Sequence, residues 1–207
     1  MARELRFLII SLGNPAPYYN AVHSAGHHVL NSLPSAIGRH QPKFSRQEIG
    51  GKQCLASMGQ KYMLVQSPAF MNDSGSFVSP AWKEIVGQAS DPSSLGLVLV
   101  HDDLEVRLGQ TKWREWAGSA KGHNGVRHVH GRLERTLYRS SPWGRYSVGI
   151  GRPELSKGGS VRSYVLQTMG QHMRDLFGKV GPPGLLSHLQ TVEEKWLEEQ
   201  SQDGREP

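Results

Sequence analysis

The distribution of apolar residues along the chain predicts strands that are separated by helices. Two largely apolar runs, at residues 5–12 and 97–100, have the length and composition of strands that are buried on both faces of a sheet. The other predicted strands are residues 53–57 and 61–66, which form a hairpin, and residues 112–116 and 146–150.

Helices are predicted where apolar residues recur every three or four positions. These segments are residues 24–37 (with Ser24 as the cap), 77–86, 126–139 and 185–196. Residues 180–184 (Val-Gly-Pro-Pro-Gly) predict a break before the last helix. The alternation predicts a single α/β domain over residues 1–180, with a mixed, mostly parallel twisted sheet and helices on both faces. An acidic C-terminal helix and tail, residues 181–207, would pack on this domain or extend from it.

The composition limits the class of protein further. Hydrophobic residues make up 37% of the chain. No apolar run approaches the roughly 18 residues of a membrane-spanning helix. The first residues lack the layout of a secretory signal or an amphipathic presequence. The single cysteine, Cys54, excludes an internal disulfide and suits a reducing compartment.

The net charge of +6 is distributed unevenly. Residues 107–162 contain 12 Lys and Arg against 3 Asp and Glu, whereas residues 181–207 contain 2 against 6. The basic block favours a polyanionic partner, because binding to phosphates releases counterions. The alternative is a basic face that only keeps the protein soluble, and charge alone does not distinguish the two.

Polar residues cluster where predicted strands give way to helices, which is where open α/β sheets place their functional groups. Asn14 and His23 follow the first strand, Asn72 precedes the second helix, Asp102 follows the second buried strand, and Asn124 opens the third helix. A carboxylate that orients an imidazole, an imidazole that takes a proton from water, and amides that hold an acyl oxygen would together suit hydrolysis.

Each of these residues also has a purely structural interpretation. His23 is one of ten histidines. Asn14 precedes a proline and suits a turn, Asn72 and Asn124 are candidate helix caps, and Asp102 suits a loop charge after a strand. For any one residue taken alone, the structural interpretation is the stronger.

Other catalytic chemistries find less support in the sequence. There is no Gly-x-Ser-x-Gly elbow, no P-loop and no Gly-x-Gly-x-x-Gly after the first strand. Cys54 lies in the middle of a predicted strand and is interpreted as a core residue. Two sets of side chains are candidate metal ligands without compact zinc spacing: His101, Asp102 and Asp103, and His123, His128 and His130. We predict no required metal or cofactor, and a metal-dependent phosphoesterase stays an alternative.

Six short blocks combine the polar residues with glycines and small side chains. They are residues 12–15 (Leu-Gly-Asn-Pro), 23–26 (His-Ser-Ala-Gly), 70–75 (Phe-Met-Asn-Asp-Ser-Gly), 101–104 (His-Asp-Asp-Leu), 118–127 (Gly-Ser-Ala-Lys-Gly-His-Asn-Gly-Val-Arg) and 148–153 (Val-Gly-Ile-Gly-Arg-Pro). In this order, across roughly residues 5–180, they resemble the bacterial-type peptidyl-tRNA hydrolase family. Each block by itself is a weak signal, but six in order outweigh the structural interpretations.

The resemblance implies a mixed α/β sheet and metal-free hydrolysis of the ester between a peptide's C-terminal carbonyl and the terminal ribose of tRNA. It implies that His23 is the general base and that Asp102 orients and polarises it. It also implies that the amides of Asn14, Asn72 and Asn124 bind the substrate.

The chain departs from the family pattern around His23. Ala16 replaces the usual glycine, Val22 and Ser24 replace an arginine and an amide, and the loop before His23 is shorter by one residue. We expect Tyr19 in this loop to contact the substrate. We expect modest damage to the site at most, because Ser24 can still cap the helix.

The basic block is expected to bind the acceptor-end phosphates of tRNA. The predicted contacts come from Lys112, Arg114, Lys121, Arg132 and Arg135. We expect a monomer with no membrane association, in the cytoplasm or, because residues 119–121 resemble eukaryotic members, in mitochondria. The main alternative is a non-catalytic RNA-binding protein of the splicing type on the same fold. An intact set of His23, Asp102 and the asparagines argues against it.

Overall fold

The computed structural model describes residues 4–153 and 160–203, and these ranges contain seven strands and five α-helices. The strands are β1 Arg6–Ser11, β2 Ser45–Ile49, β3 Lys52–Met58, β4 Tyr62–Gln66, β5 Leu95–Asp103, β6 Thr111–Glu115 and β7 Trp143–Gly149. The helices are α1 Ala25–Ile37, α2 Gly75–Gly87, α3 Asn124–His130, α4 Val161–Leu166 and α5 Gln171–Asp203. Short 3-10 turns at Val22–Ser24 and Met71–Asp73 precede α1 and α2.

All seven strands form one sheet, in the order β2-β3-β4-β1-β5-β7-β6. The four central strands, β4, β1, β5 and β7, are parallel, and antiparallel neighbours extend the sheet at both edges. The predicted mixed α/β sheet is therefore confirmed. The apolar pattern does not predict β2, because four of its five side chains are exposed and polar.

Helices cover both faces of the sheet, as predicted. On one face, α1 and α5 pack over a core that includes Phe7, Val98 and Tyr146. On the other face, α2 and α3 cover a core that includes Trp82 and Leu99. Because alternate side chains of a strand point to opposite faces, strands covered on both sides are apolar throughout. This double burial explains why the middle of β1, residues 7–10, and the first part of β5 are apolar on both faces.

β5 is longer at its carboxyl end than its apolar run predicts. It continues to Asp103, and Asp102 pairs in register with Val148 of β7. All nine residues of the strand are buried. The polar side chains at its end therefore stand on a rigid strand, and the interpretation of Asp102 as a loop charge is wrong.

The helix predicted over residues 126–139 is shorter than expected. α3 ends at His130, and a 3-10 turn at Arg135–Tyr138 replaces the second half of the predicted helix. Leu137, which the pattern places on the buried stripe, is 69% exposed. Gly131 accounts for the early end, because glycine costs a helix about 1 kcal/mol relative to alanine.

α5 runs without interruption through residues 180–184, so the predicted break before the C-terminal helix is wrong. The two prolines in this stretch remove two backbone donors, but contacts with the rest of the fold stabilise the helix there. Gly181 lies so close to Val29 of α1 that a Cβ atom would approach it to 2.5 Å. The Tyr146 hydroxyl donates a hydrogen bond to the Gly181 carbonyl (2.9 Å). Residues 204–207 of the predicted tail lie outside the described residues.

The C-terminal half of α5 packs against the domain. Leu185, Leu189 and Trp196 are buried in the core beneath α1. An ion pair of 2.7 Å joins Glu193 to Lys61 beside β4. Although α5 is 33 residues long, neither it nor any other helix among the described residues has the apolar length that a membrane span requires.

The close approach of α1 to the sheet predicts a large effect of Gly26→Ala. A Cβ atom at Gly26 would lie 2.6 Å from the Val100 carbonyl oxygen and 2.8 Å from that of Leu12, and both are backbone atoms of the sheet and its adjoining loop. We expect the free energy of unfolding to fall by about 1–3 kcal/mol.

The control is Gly87→Ala at the exposed end of α2, where an added Cβ meets no atom within 4 Å. Alanine there should leave the free energy of unfolding unchanged or raise it by up to about 1 kcal/mol. Urea denaturation of both variants measures the difference. Equal effects at the two positions would contradict the packing argument.

Candidate active site

A cavity of about 800 Å³ opens at the carboxyl ends of β1, β4 and β5. Asn14 and His23 reach it from the segment after β1, Asn72 from the turn after β4, Asp102 from the end of β5, and Asn124 from the start of α3. These five residues, which are far apart in the sequence, therefore line one cavity. The carboxyl edge is also where open α/β sheets bind ligands.

His23 and Asp102 are hydrogen-bonded to each other. His23 Nδ1 lies 2.7 Å from Asp102 Oδ1, and the imidazole is 16% exposed whereas the carboxylate is 2% exposed. Because the carboxylate accepts, Nδ1 carries the proton of the neutral ring and Nε2 keeps its lone pair. Burial lowers the pKa of His23, but Asp102 outweighs burial and the pKa is raised above its ordinary value. This arrangement leaves one imidazole nitrogen available as a base.

Asp102 has a second histidine partner, His123, to which the sequence analysis assigned no catalytic role. His123 Nε2 lies 3.0 Å from the same oxygen, Oδ1. The backbone N–H of Val126 donates to His123 Nδ1 (3.2 Å), so the ring proton of neutral His123 is on Nε2, which donates to Asp102. Burial raises the pKa of Asp102, but the two histidines outweigh burial and hold the pKa far below its ordinary value. The carboxylate is therefore charged at neutral pH.

The same three side chains offer ligand atoms that lie within 4.8 Å of one another, which is close enough to hold a metal ion. The tautomer of His123 argues against such a site, because the nitrogen that faces Asp102 carries a proton. The metal sets considered from the sequence are engaged differently: His101 Nδ1 donates to a carbonyl, and His128 Nδ1 accepts an N–H from α2. The side chains fit proton transfer better than metal binding.

His101 packs beside this cluster as a neutral ring. It is 3% exposed, and its ring meets that of His123 edge-on at 4.8 Å. Burial, with a smaller contribution from His123, lowers the pKa of His101 to about 3. His101 therefore adds no positive charge to the cavity near neutral pH.

Asn14 is held with its amide NH₂ group unpaired. The side chain is 4% exposed, and Oδ1 accepts a hydrogen bond from the Met71 backbone N–H (2.9 Å). Its Nδ2 is buried and has no hydrogen-bond partner within the described residues. The Asn14 backbone N–H donates to Ser24 Oγ, so this hydroxyl does not cap α1 as predicted. Ser24 instead fixes the loop before His23, because it also donates to the Tyr18 carbonyl.

Asn72 and Asn124 are exposed and line both the main cavity and a second one of about 350 Å³. Asn72 lies inside a 3-10 turn, and Ser74 is the residue that precedes α2. Asn124 is the first helical residue of α3, and its cap is His123. The alternative interpretation of both asparagines as helix caps is therefore wrong.

The structure does not bring Tyr19 into the cavity. The Tyr19 hydroxyl donates to Gln66 Oε1 (3.1 Å) and accepts from Asn31 Nδ2 (2.8 Å), and its ring stacks on His27 at 5.4 Å. The neighbouring Tyr18, which is 44% exposed, lines the cavity instead. The Tyr19 side chain is used in packing against α1, and its expected contact with the substrate stays a prediction that the geometry of this cavity does not support.

The predicted phosphate-binding residues divide into different environments. Arg114 and Lys121 line the main cavity, and Arg132 lines the second one. Arg114 is paired with Asp103 (Nη2 to Oδ2, 2.8 Å). Lys112 is exposed two residues earlier on β6, where side-chain alternation places it on the same face as Arg114.

Arg135 is folded back onto the protein and does not line either cavity. Its guanidinium donates to the carbonyl oxygens of Tyr138 and Arg139, and it lies 5.3 Å from the ring centre of Trp143. The expected phosphate contact of Arg135 stays a prediction that these contacts do not support. The apolar pattern predicts a continuous helix here, and the 3-10 turn points the side chain elsewhere.

Several charged residues of the two cavities were not singled out from the sequence. Arg145, Arg152 and Arg162 line the main cavity, and Arg127 and His128 line the second one. Most belong to the basic block, of which residues 154–159 lie outside the described residues. Charge counting finds the block but not the side chains that face a cavity. His123 had a detectable signal, since it adjoins Asn124 in one of the six blocks.

The cavity combines a histidine–carboxylate pair with several amides at the edge of an α/β sheet. This combination is typical of a hydrolase active site. A family model described as peptidyl-tRNA hydrolase matches residues 8–203. The peptidyl-tRNA hydrolase of Citrifermentans bemidjiense is 34% identical over 169 residues, which cover 81% of each chain. That of Geobacter sulfurreducens is 34% identical over 171 residues, which cover 82% of this chain and 80% of that protein. This chain therefore belongs to the peptidyl-tRNA hydrolase family.

A solved structure with a similar fold is the crystal structure of peptidyl-tRNA hydrolase from Acinetobacter baumannii. It superposes with a TM-score of 0.64 at 20% sequence identity and covers 95% of this chain and 96% of that one. At this identity the likeness concerns the fold, and it agrees with the α/β sheet described above.

The His23–Asp102 contact predicts a specific change in the titration of His23. Asp102→Asn removes the charge that raises the pKa of His23 but leaves the burial that lowers it, so the pKa should fall below the ordinary histidine value. Two-dimensional NMR of ring nitrogens measures this directly. The raised pKa also means that the pair stabilises the fold below the ordinary histidine pKa, and that this contribution is lost as the pH rises through the pKa of folded His23.

The matched control is Asp175→Asn on the exposed face of α5, which should leave the His23 titration unchanged. In every variant, His101 should stay neutral down to about pH 3. An unaltered His23 titration in Asp102→Asn would show that the carboxylate does not set its charge.

Proposed function

We propose that this chain hydrolyses the ester bond of peptidyl-tRNA with a water molecule that His23 activates. The observation that carries the proposal is the His23–Asp102 hydrogen bond at the edge of an open cavity. Membership of the peptidyl-tRNA hydrolase family supports the substrate. The chemistry needs no serine nucleophile, since an ester is an easier target than an amide.

In the proposed reaction, His23 Nε2 removes a proton from water while the water oxygen forms a bond to the ester carbonyl carbon. The carbonyl oxygen gains negative charge, and the charged Asp102 stabilises the imidazolium. The bond between the carbon and the ribose oxygen then breaks, and His23 returns its proton to that oxygen. The products are a peptide with a free carboxyl group and a tRNA with a free terminal hydroxyl.

The amides are proposed to bind the substrate and to steady the developing charge. Asn14 supports this role most directly, because Met71 fixes its oxygen and leaves a buried NH₂ group without a partner. A fixed donor of this kind stabilises an oxyanion without having to reorganise during the reaction. Asn72 and Asn124, at the junction of the two cavities, are proposed to hold the acyl group and the terminal ribose.

The two cavities suggest which way the substrate lies. The second cavity carries Arg127 and Arg132, so we place the phosphates of the acceptor end there, with Lys121 at the rim. The wall formed by α4 is apolar at Val161, Val165 and Leu166 and suits the peptide. Phosphate contacts position the tRNA without reading its sequence, as an enzyme that serves many tRNAs requires.

The alternative of a non-catalytic RNA-binding protein is not favoured, because such a protein would not need a buried charged carboxylate between two histidines. We further propose that the protein acts as a monomer, since one chain supplies every residue of the described cavity. The cytoplasmic or mitochondrial location stays a prediction that fluorescence imaging of the tagged chain tests.

For the general base, we predict that His23→Ala reduces kcat by about 10²–10⁴-fold with peptidyl-tRNA as substrate, because the proton acceptor is lost. The assay follows release of free tRNA in the presence of a chelator. Wild-type activity should be insensitive to the chelator. His40→Ala, at an exposed histidine after α1, is the control and should keep wild-type activity.

Wild-type release of peptide by His23→Ala would eliminate the assigned base. Loss of wild-type activity upon chelation would instead favour the metal-dependent phosphoesterase.

For the tRNA contacts, we predict that Lys121→Gln combined with Arg132→Gln reduces the salt dependence of tRNA binding. Each lost phosphate contact should lower the slope of log Kd against log salt by about 0.7–0.9. Fluorescence anisotropy at several salt concentrations measures the slope. Arg46→Gln on the remote edge strand β2 is the control. A double variant with the wild-type slope would exclude this placement of the acceptor end.

A further inference from the structure

We infer that Arg145 is a positioning residue that fixes the segment between β6 and α3, residues 116–123, and thereby the placement of His123 and Asn124. The kinetic part of this inference rests on the proposed function. The structural part does not.

Arg145 is a buried cation that binds backbone oxygens. It stands on β7 and is 2% exposed. Its Nη2 faces three carbonyl oxygens of one turn, at 2.7 Å from Gly118, 3.1 Å from Glu115 and 3.4 Å from Ser119. Three acceptors around one nitrogen tie the first half of the segment to the sheet.

The turn is shaped to receive this guanidinium. A Cβ atom at Gly118 would lie 2.9 Å from Arg145 Nη2, so a larger residue there would push the two apart. The Arg145 Nε is also buried and has no hydrogen-bond partner in the described part of the chain. The hydrogen bonds between Arg145 and the turn are therefore made through Nη2.

The second half of the segment is fixed by a different contact. His123 donates to Asp102 and accepts the Val126 N–H, which ties the end of the segment to β5 and α3. Arg145 and Asp102 are thus the two anchors of one short connection. If either anchor is lost, the connection keeps one polar anchor and the packing of the buried Trp116 ring on Trp143.

The tip between the anchors is strained. Lys121 has a φ of +47°, and the following Gly122 has a φ of +82°. A left-handed conformation costs a residue other than glycine about 1–2 kcal/mol, so the tip would relax if its ends were free. The strain indicates that the anchors impose the conformation of the tip.

The segment forms a continuous part of the cavity wall. The lining residues that it contributes, together with the first residue of α3, are Ser119, Ala120, Lys121, Gly122, His123 and Asn124. A displacement of the turn at Gly118 would therefore reach the amide and the second partner of Asp102.

Stability alone does not account for a charged residue at position 145. Arg145 lies opposite Arg114 in the antiparallel β6–β7 register, and Asp103 is paired with Arg114. Among the described residues, no carboxylate forms an ion pair with Arg145. A buried charge without a paired carboxylate costs desolvation free energy, which an apolar side chain would not. An apolar side chain would fill the site but could not bind the three carbonyls.

The test compares Arg145→Met, which keeps an unbranched apolar stem without the guanidinium, with Arg145→Lys, which keeps the charge. The matched control is Arg46→Met at an exposed position on β2. Hydrogen exchange of the backbone amides in residues 117–122 is followed by mass spectrometry. The variants are then assayed for kcat and KM with peptidyl-tRNA.

In Arg145→Met, we expect exchange in residues 117–122 to become at least about tenfold faster while exchange in β1 and β5 is unchanged. KM should rise about tenfold with a smaller change in kcat, because Asn124 is displaced while His23 keeps Asp102. Arg145→Lys should restore part of the slow exchange and part of the low KM. A double variant with Asn124→Ala should lose less than the sum of the single losses, since both changes act on one contact.

Wild-type exchange of residues 117–122 in Arg145→Met would overturn the inference, whatever the activity. Should Arg145→Met not fold, the exchange of these residues in Arg145→Lys decides in the same way. A wild-type protein without activity on peptidyl-tRNA would defeat the proposed function alone, because the exchange measurement does not use the substrate.

Discussion

The site depends on one oxygen atom, Asp102 Oδ1, which accepts hydrogen bonds from both His23 and His123. This atom joins three parts of the chain: the turn before α1, the end of β5 and the cap of α3. A buried carboxylate that loses a hydrogen-bond partner destabilises the fold strongly. Moving either histidine away from Asp102 would therefore raise the free energy of the folded protein. The same two bonds keep the carboxylate charged and make His23 a stronger base. Position and reactivity therefore have a common cause.

The second consequence of this bond pattern is chemical selectivity. The N–H of Val126 fixes which nitrogen of His123 carries the proton, and Asp102 fixes which nitrogen of His23 does. The His123 ring thus uses both nitrogens, one as acceptor and one as donor, whereas His23 has one basic nitrogen left. His123 and His23 have different roles because the start of α3 binds the second nitrogen of His123, whereas the second nitrogen of His23 stays available to the cavity. His101, the third ring of the cluster, stays neutral because it is buried.

The sequence predicts the centre of the fold well because burial on both faces leaves an unmistakable apolar run, as in β1 and β5. It predicts less where the decisive interaction is distant in sequence. β2 lies at the edge of the sheet, where its side chains can be polar, so its pairing with β3 and not an apolar pattern makes it a strand. α5 continues through two prolines because contacts with Tyr146 and α1 stabilise it there. Local turns decide where the side chains of Tyr19 and Arg135 lie. The motif blocks located His23, Asp102 and the asparagines, but neither pattern nor charge shows that Arg135 folds back onto Trp143 or that Tyr19 packs on His27.

Gly26 fixes the start of α1 against the main chain of the sheet, which the polar residues of the site do not do. This glycine lets the first turn of α1 meet the main chain of β5 and of the residue after β1 directly. The start of the helix that follows His23 therefore contacts peptide groups, whereas its later turns pack on apolar side chains. The position of a peptide group does not depend on which side chain the residue carries. An apolar substitution elsewhere in the core should therefore disturb this contact, and with it the spacing between His23 and Asp102, less than a substitution of Gly26 itself.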